Sequence, residues 1–360
     1  MSKTKEKKRE HLDKIIDFGR QLFAAILRSR TGALTELAKL LRFQKGTKGF
    51  ERQFNKLLPL ITELKEAYRK CVLAQFPEQG LRLGIFDDSP IKKTGKCFPE
   101  QKTQHDHSSN SFFEGMRVMS SCGYQKGKTA VVNSRIVGKE ENKLELAKEE
   151  IDMFLSDFFV DILLYDSWYC KEPVIKHLLD KKALFVSRTR TDTITLFEES
   201  EVRLDVLAMS IPHSAYKHVK INGKSYWVLD QEFEFKAFGE LRVIFSKEKY
   251  YDKPIFLITN ALNFSAKFIV SLYLKRFSIE VFFKDAKQFL NFETFLCRNP
   301  QKWNLHLHLT NVLHWAIQKI HSISKTVRII RENIGKCLLF INQNPLIDQF
   351  FDELKKRCQT

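Results

Sequence analysis

The stretch LRLGIFDDSP, residues 81–90, marks a change of texture in a 360-residue chain: an apolar run of strand length closes on two acids, then breaks into Ser-Pro. Short apolar runs bounded by turn residues read as buried strands. VDILLYDSWY, residues 160–169, has the same design, with Asp166 where the apolar run ends. Acids at the carboxyl ends of neighbouring strands stand at the edge where open α/β sheets take their ligands. One such aspartate is ordinary turn chemistry; two at the same edge can share a ligand.

Outward from these runs the rest of the sheet follows. GMRVMSSCGY and TAVVNSRIVG lie between them as further strands, a helix is predicted around NKLELAKEEIDMFLSDFF, and ALFVSRT and PIFLITN supply later strands. Segments that alternate between residues 192 and 252, with a hairpin turn at Asn222-Gly223, read as antiparallel strands inserted into the core. The predicted fold is α/β, a mixed sheet flanked by helices. Its parts are a disordered basic tail (1–10), a helical region (11–78), the first part of the core (79–191), the β-rich insertion (192–252), the second part of the core (253–325) and a helical C-terminal segment (326–360). In the helical start, the short helices flanking RFQKGTKG fit either a DNA-binding helix-turn-helix or a bundle bracing the main domain.

Composition sets the class of partner. Lys and Arg number 60 against 43 Asp and Glu, a formal charge of +17, which favours a polyanion such as nucleic acid or an acidic membrane surface. No apolar run reaches the length of a membrane span, and the charged start MSKTKEKKREHLDK is unlike a secretory leader. A cytoplasmic, bacterial nucleoid-associated setting is expected. The seven cysteines show no metal or redox spacing and read as reduced thiols.

A late helix carries the remaining chemistry. In YLKRFSIEVFFKDAK, residues 273–287, advancing 100° per residue places Arg276, Glu280 and Lys287 within an arc of roughly 60° of Tyr273. The other faces hold Leu272, Phe277, Ile279, Phe282 and Phe283, so the polar stripe lies on a largely buried helix and needs partners. One reading is a simple i, i+4 ion pair between Arg276 and Glu280. The other joins Glu280 to the strand-end acids Asp88 and Asp166. Three converging carboxylates suit Mg²⁺ or Mn²⁺, hard cations that also accept phosphate oxygens. A pair of such ions serves in-line displacement at phosphorus, with Arg276 and Lys287 beside them on phosphates.

The spacing Tyr, two residues, Arg, three residues, Glu, six residues, Lys resembles the signature of DDE transposases of the insertion sequence 4 family. It follows, in order, IFDDSPIKKTGK and LLYDSWY, which are similar to that family's two aspartate segments. The resemblance spans about residues 81–320. It implies an RNase H-like catalytic core with Asp88, Asp166 and Glu280 as ligands of two Mg²⁺ or Mn²⁺ ions, and DNA contacts from Tyr273, Arg276 and Lys287. The implied partners are double-stranded DNA, as terminal inverted repeats and target, and a second copy of the chain; the implied reaction is cut-and-paste transposition. Asp87 and Asp88 point to opposite faces of a strand, so one alone enters the site; Asp88 matches the family's acid before a hydroxyl residue, here Ser89. Some relatives stack a flipped base on a Trp where this chain has Ile255, which puts a hairpin intermediate in doubt.

Other candidates are weaker. His105 and His107 read as a polar loop, and His306, His308 and His314 as packing or surface residues. Trp227 has a core role or stacks on a base; Lys92, Lys93 and Lys96 lie near DNA or are simply solvated. The rival functions are a catalytically inactive DNA-binding derivative of a transposase and a metal-dependent DNA nuclease without strand transfer.

Overall fold

A computed structural model describes residues 3–77, 79–93, 98–106, 110–318 and 330–359. The periodic start folds into α1 (Lys3–Arg28), α2 (Leu34–Leu40), α3 (Gly46–Asn55) and α4 (Ile61–Leu73). Most of the segment expected as a disordered tail belongs to α1, whose residues 6–10 are all exposed before burial starts at Leu12. Phe18, Phe43 and Phe50 meet edge to face, which packs α3 and the turn before it against α1.

The α1–α2 turn is held by one carboxylate. Glu36 accepts hydrogen bonds from the Ser29 and Thr31 hydroxyls and from the backbone N–H groups of Arg30 and Thr31. Burial opposes its charge, but these four donors prevail and bring its pKa down to about 2. Because the folded pKa is depressed, the contribution is complete above the ordinary carboxylate range and is lost as pH falls through about 2. Glu36→Gln is therefore expected to lower the urea midpoint at pH 7, with the gap between the two proteins closing toward pH 2.

The strands β1 (Leu83–Lys92), β2 (Lys102–Asp106), β3 (Ser111–Gln125) and β4 (Lys128–Val137) precede α5 (Lys143–Met153), β5 (Ile162–Tyr165), α6 (Glu172–Asp180) and β6 (Leu184–Thr189). β3 runs antiparallel between β1 and β4, while β5 pairs parallel with β1 and β6 parallel with β5. Next come β7 (Ile194–Phe197), β8 (Ser200–Arg203), α7 (Leu204–Ser210), β9 (Lys217–Ile221), β10 (Lys224–Phe235), β11 (Gly239–Lys247) and β12 (Ile255–Thr259). The Asn222-Gly223 turn joins β9 to β10, both residues having positive φ as a tight hairpin requires. The segment expected as an inserted block is continuous with the core sheet: β12 pairs with β6, β11 with β12 and β10 with β11. Among the described residues, twelve strands form one sheet.

After β12 follow α8 (Ala266–Tyr273), α9 (Phe277–Phe289), α10 (Pro300–Gln318), α11 (Ile334–Asn342) and α12 (Pro345–Gln359). Ser265 caps α8 through the Phe268 N–H. The single helix expected over residues 273–287 is broken near its start by a 3₁₀ turn at Leu274–Arg276, which advances about 120° per residue rather than 100°. α10 is buried on nearly every face, with His306, His308 and His314 enclosed and their pKa values lowered by burial. The last helix returns to the first: Phe350 and Phe351 pack on Phe23 of α1.

No helix among the described residues is long and apolar enough to cross a membrane. Cys71, Cys122, Cys170, Cys297, Cys337 and Cys358 are free thiols. Cys97, Lys96 and His107 lie outside the described residues.

Candidate active site

Register separates the two adjacent acids of β1. Asp87 is opposite Ser120 of β3, which is opposite Ser134 of β4. The two serine hydroxyls bond each other, and Ser134 donates to Asn311 of α10. Asp87 thus projects to the sheet face covered by α9 and α10. Asp88 is opposite Met119, itself opposite Arg135, whose guanidinium meets Glu149 of α5 and Glu141 just before it. It projects to the α5 face.

On that face Asp88 is fully engaged. Its carboxylate accepts from Arg117, from Lys143 at 2.7 Å and from the Tyr169 hydroxyl, and its side chain is 4% exposed. Burial opposes ionisation, but Lys143 and Arg117 hold its pKa below the usual carboxylate range. Arg117 is fixed in turn by Gln104, and Lys143 lies 3.4 Å over the ring of Trp168. Tyr169 closes the turn after β5 through its N–H on the Asp166 carbonyl.

The opposite face gathers the residues of the late helix. Arg276, in the 3₁₀ turn, donates to Asp87 at 2.9 Å and, through its other terminal nitrogen, to Glu280 of α9. Burial works against its charge, yet Tyr273, Asp87, Glu280 and Asp166 together raise its pKa. Tyr273 is buried beside it, 5.7 Å from ring centre to guanidinium, and desolvation pushes its phenol up to about 12. The Asp166 carboxylate makes no hydrogen bond or ion pair among the described residues, but its charge is felt at Asp87, Tyr273 and Arg276. Lys287 reaches β1 at the Pro90 carbonyl, 2.8 Å away, and pairs with Glu293 at 2.8 Å.

Asp87 bears the electrostatic load of this arrangement. Burial pushes its pKa up to about 7 against the pull of Arg276, and the neighbouring Asp88 and Asp166 add repulsion. A carboxylate perturbed by burial and by neighbouring acids makes Asp87 a candidate functional group.

Asp88, expected beside Asp166 and Glu280, is therefore placed on the other face, and Asp87 stands in its stead. Strand alternation predicts that only one acid can enter, but which one depends on the side that α9 packs against. The partners Arg117, Lys143 and Tyr169 were missed because no local spacing links them to Asp88. Arg188 of β6, whose charge reaches Tyr273, was missed for the same reason.

A divalent cation fits the chemistry of the donors Asp87, Asp166 and Glu280: all are hard oxygens, one is unpaired, and Asp87 is crowded by like charge. Among the described residues, however, no three candidate ligands stand close enough to hold a metal ion. Arg276 lies between two of these acids.

The lysines and rings proposed to lie near DNA have mostly structural partners. Lys93 donates to the carbonyls of Glu293 and Phe295 and lies 4.2 Å over Trp303; burial lowers its pKa to about 8. Lys92 lies near Phe113, 5.1 Å from its ring, and His105 bonds Asn110. Trp227 is half-buried and packs edge-on against Tyr250.

A family model described as the transposase DDE domain matches residues 78–315, more than half of the chain. Among curated proteins no match is found.

Proposed function

This chain belongs to the transposase DDE domain family, and from that premise we propose that it is a DNA transposase of the insertion sequence 4 group. It cleaves DNA at the ends of its own element and joins them to a target. The observation that carries this reading is the meeting of Asp87 and Glu280 on Arg276, with Asp166 beside them, inside the region the family model matches.

Strand order supports an RNase H-like core: β4, β3 and β1 antiparallel, then β5 and β6 parallel, with α9 laid across the face that bears Asp87. Asp87, Asp166 and Glu280 would hold Mg²⁺ or Mn²⁺, which would supply Lewis acidity to a phosphate oxygen and lower the pKa of a water. Asp87 replaces Asp88 in this assignment. Asp88 instead keeps Tyr169, and with it the turn that carries Asp166, against the middle of β1. Arg276, Tyr273 and Lys287 hold the DNA backbone next to the acids, and the charge of +17 supplies the wider attraction for a polyanion. Two copies of the chain pair the two ends, and the protein works at the nucleoid.

A test needs the chain, Mg²⁺ and DNA carrying the terminal repeats of its element. Cleavage at the ends followed by joining is the expected result. Cleavage without joining would make it a nuclease, and binding without cleavage an inactive derivative; either outcome overturns the proposal.

A further inference from the structure

Arg276 stands between two of the three acids of the proposed site and donates to both. We infer that Arg276 is an internal counter-ion that closes Asp87 and Glu280 to divalent cations until a DNA phosphate draws it away, so that cation loading depends on DNA. This inference rests on the proposed transposase reading.

Its basis is the contact pattern. Arg276 gives one terminal nitrogen to each acid and is 14% exposed. Among the described residues it is the single ion-pair partner of both Asp87 and Glu280. Asp166 has no such partner, so direct neutralisation of the acids comes from this one guanidinium.

A divalent cation held by Asp87 and Glu280 would need the carboxylate oxygens that the guanidinium now engages. Two like charges at those oxygens repel strongly in a partly buried site. The acids therefore hold either Arg276 or a divalent cation. A phosphodiester offers Arg276 an equivalent partner, because its fork of donors matches phosphate oxygens as well as carboxylates.

The exchange balances locally: the acids trade a guanidinium for a cation, and the guanidinium trades carboxylates for phosphate. Arg276 lies in the 3₁₀ turn between α8 and α9, with the Tyr273 ring beside it, so the exchange involves its side chain and not the helical backbone of α9. DNA and cation then bind with positive, reciprocal coupling. A chain free of DNA holds its site unloaded, which guards the host's DNA against indiscriminate cutting.

The test is Mn²⁺ binding to the full-length chain, read from the electron paramagnetic resonance signal of free Mn²⁺ at pH 8. Without DNA, Arg276→Ala is expected to bind Mn²⁺ about tenfold tighter than wild type, a typical coupling strength. Arg276→Lys, which keeps the charge, should stay close to wild type. A duplex copied from the DNA flanking the coding segment should tighten Mn²⁺ binding to wild type but not to Arg276→Ala. If Arg276→Ala does not fold by circular dichroism, Arg276→Gln takes its place with the same expectation.

Asp87→Asn distinguishes failure of the counter-ion role from failure of the acid site. If it abolishes Mn²⁺ binding while loss of Arg276 leaves affinity unchanged or weaker, the counter-ion role is overturned and the acid site stands. If Asp87→Asn leaves Mn²⁺ binding intact, the acid site itself is misassigned and both proposals fall.

Discussion

Replacing Asp87 by Asn is expected to stop strand cleavage while leaving DNA binding nearly intact, a loss on the order of 10³-fold or more, since an ion-holding carboxylate is worth several kcal/mol at the transition state. The same substitution is expected to stabilise the fold at alkaline pH. Asp87 has a folded pKa of about 7, above its value in the unfolded chain. Stability it contributes is therefore complete at low pH and lost as pH rises through 7, where the buried charge must form. Asparagine has no charge to bury.

Asp88→Asn should behave in the opposite way. It leaves Arg117 and Lys143 without their shared counter-charge, a change that costs about 3 kcal/mol when a partly buried pair loses one member. Cleavage assays paired with melting curves read both outcomes. Should Asp88→Asn abolish cleavage without a fall in melting temperature, and Asp87→Asn leave cleavage intact, the assignment of the first acid is reversed.

Phe86→Ala is expected to be the most damaging single truncation near the site. Phe86 is fully buried, its ring stacked on Tyr165 at 5.3 Å and meeting Tyr169 edge-on at 5.2 Å. Removing a buried Phe costs roughly 3–5 kcal/mol, and part of that here is aromatic pairing. The effect extends beyond stability. Tyr165 precedes Asp166 and Tyr169 closes its turn, so the ring holds the second acid in line with the first strand. An unfolding free energy, from urea titration, lowered by less than about 1 kcal/mol would show that the cavity collapses and that the ring has no such role.

How far the sequence could be read depends on the range of the interactions involved. The strand that carries Asp87-Asp88, the strand that stops just before Asp166 and the Asn222-Gly223 hairpin follow from patterns a few residues long, and each is present in the fold; β1, however, does not break at the acids but runs on through Ser89 and Pro90 to Lys92, held there by its pairing with β3. The 3₁₀ break at Leu274–Arg276 has no proline or glycine to announce it. The strands between residues 192 and 252 were legible as antiparallel, but their docking onto β12 is made by backbone hydrogen bonds that carry no side-chain signature.

The choice between Asp87 and Asp88 lies furthest from local pattern. It is fixed by a lateral chain of contacts from Asp87 through Ser120 and Ser134 to Asn311, across more than two hundred residues. Matching the acid to the following hydroxyl residue pointed to Asp88, and that cue contains no information about which face a helix later covers.

The unbroken sheet also has a metric consequence. β10 stands four steps from β5 through β6, β12 and β11, and strands lie about 4.8 Å apart, so roughly 19 Å separates Asp166 from the start of β10. Near that far margin stand Trp227, Tyr250 and the almost bare ring of Tyr251. Since hydrogen bonds fix every rung between, the carboxylates and those rings are held at one spacing; on the proposed function, a strand of nucleic acid laid from one to the other would cover about five or six nucleotides at a backbone rise of 3.4 Å.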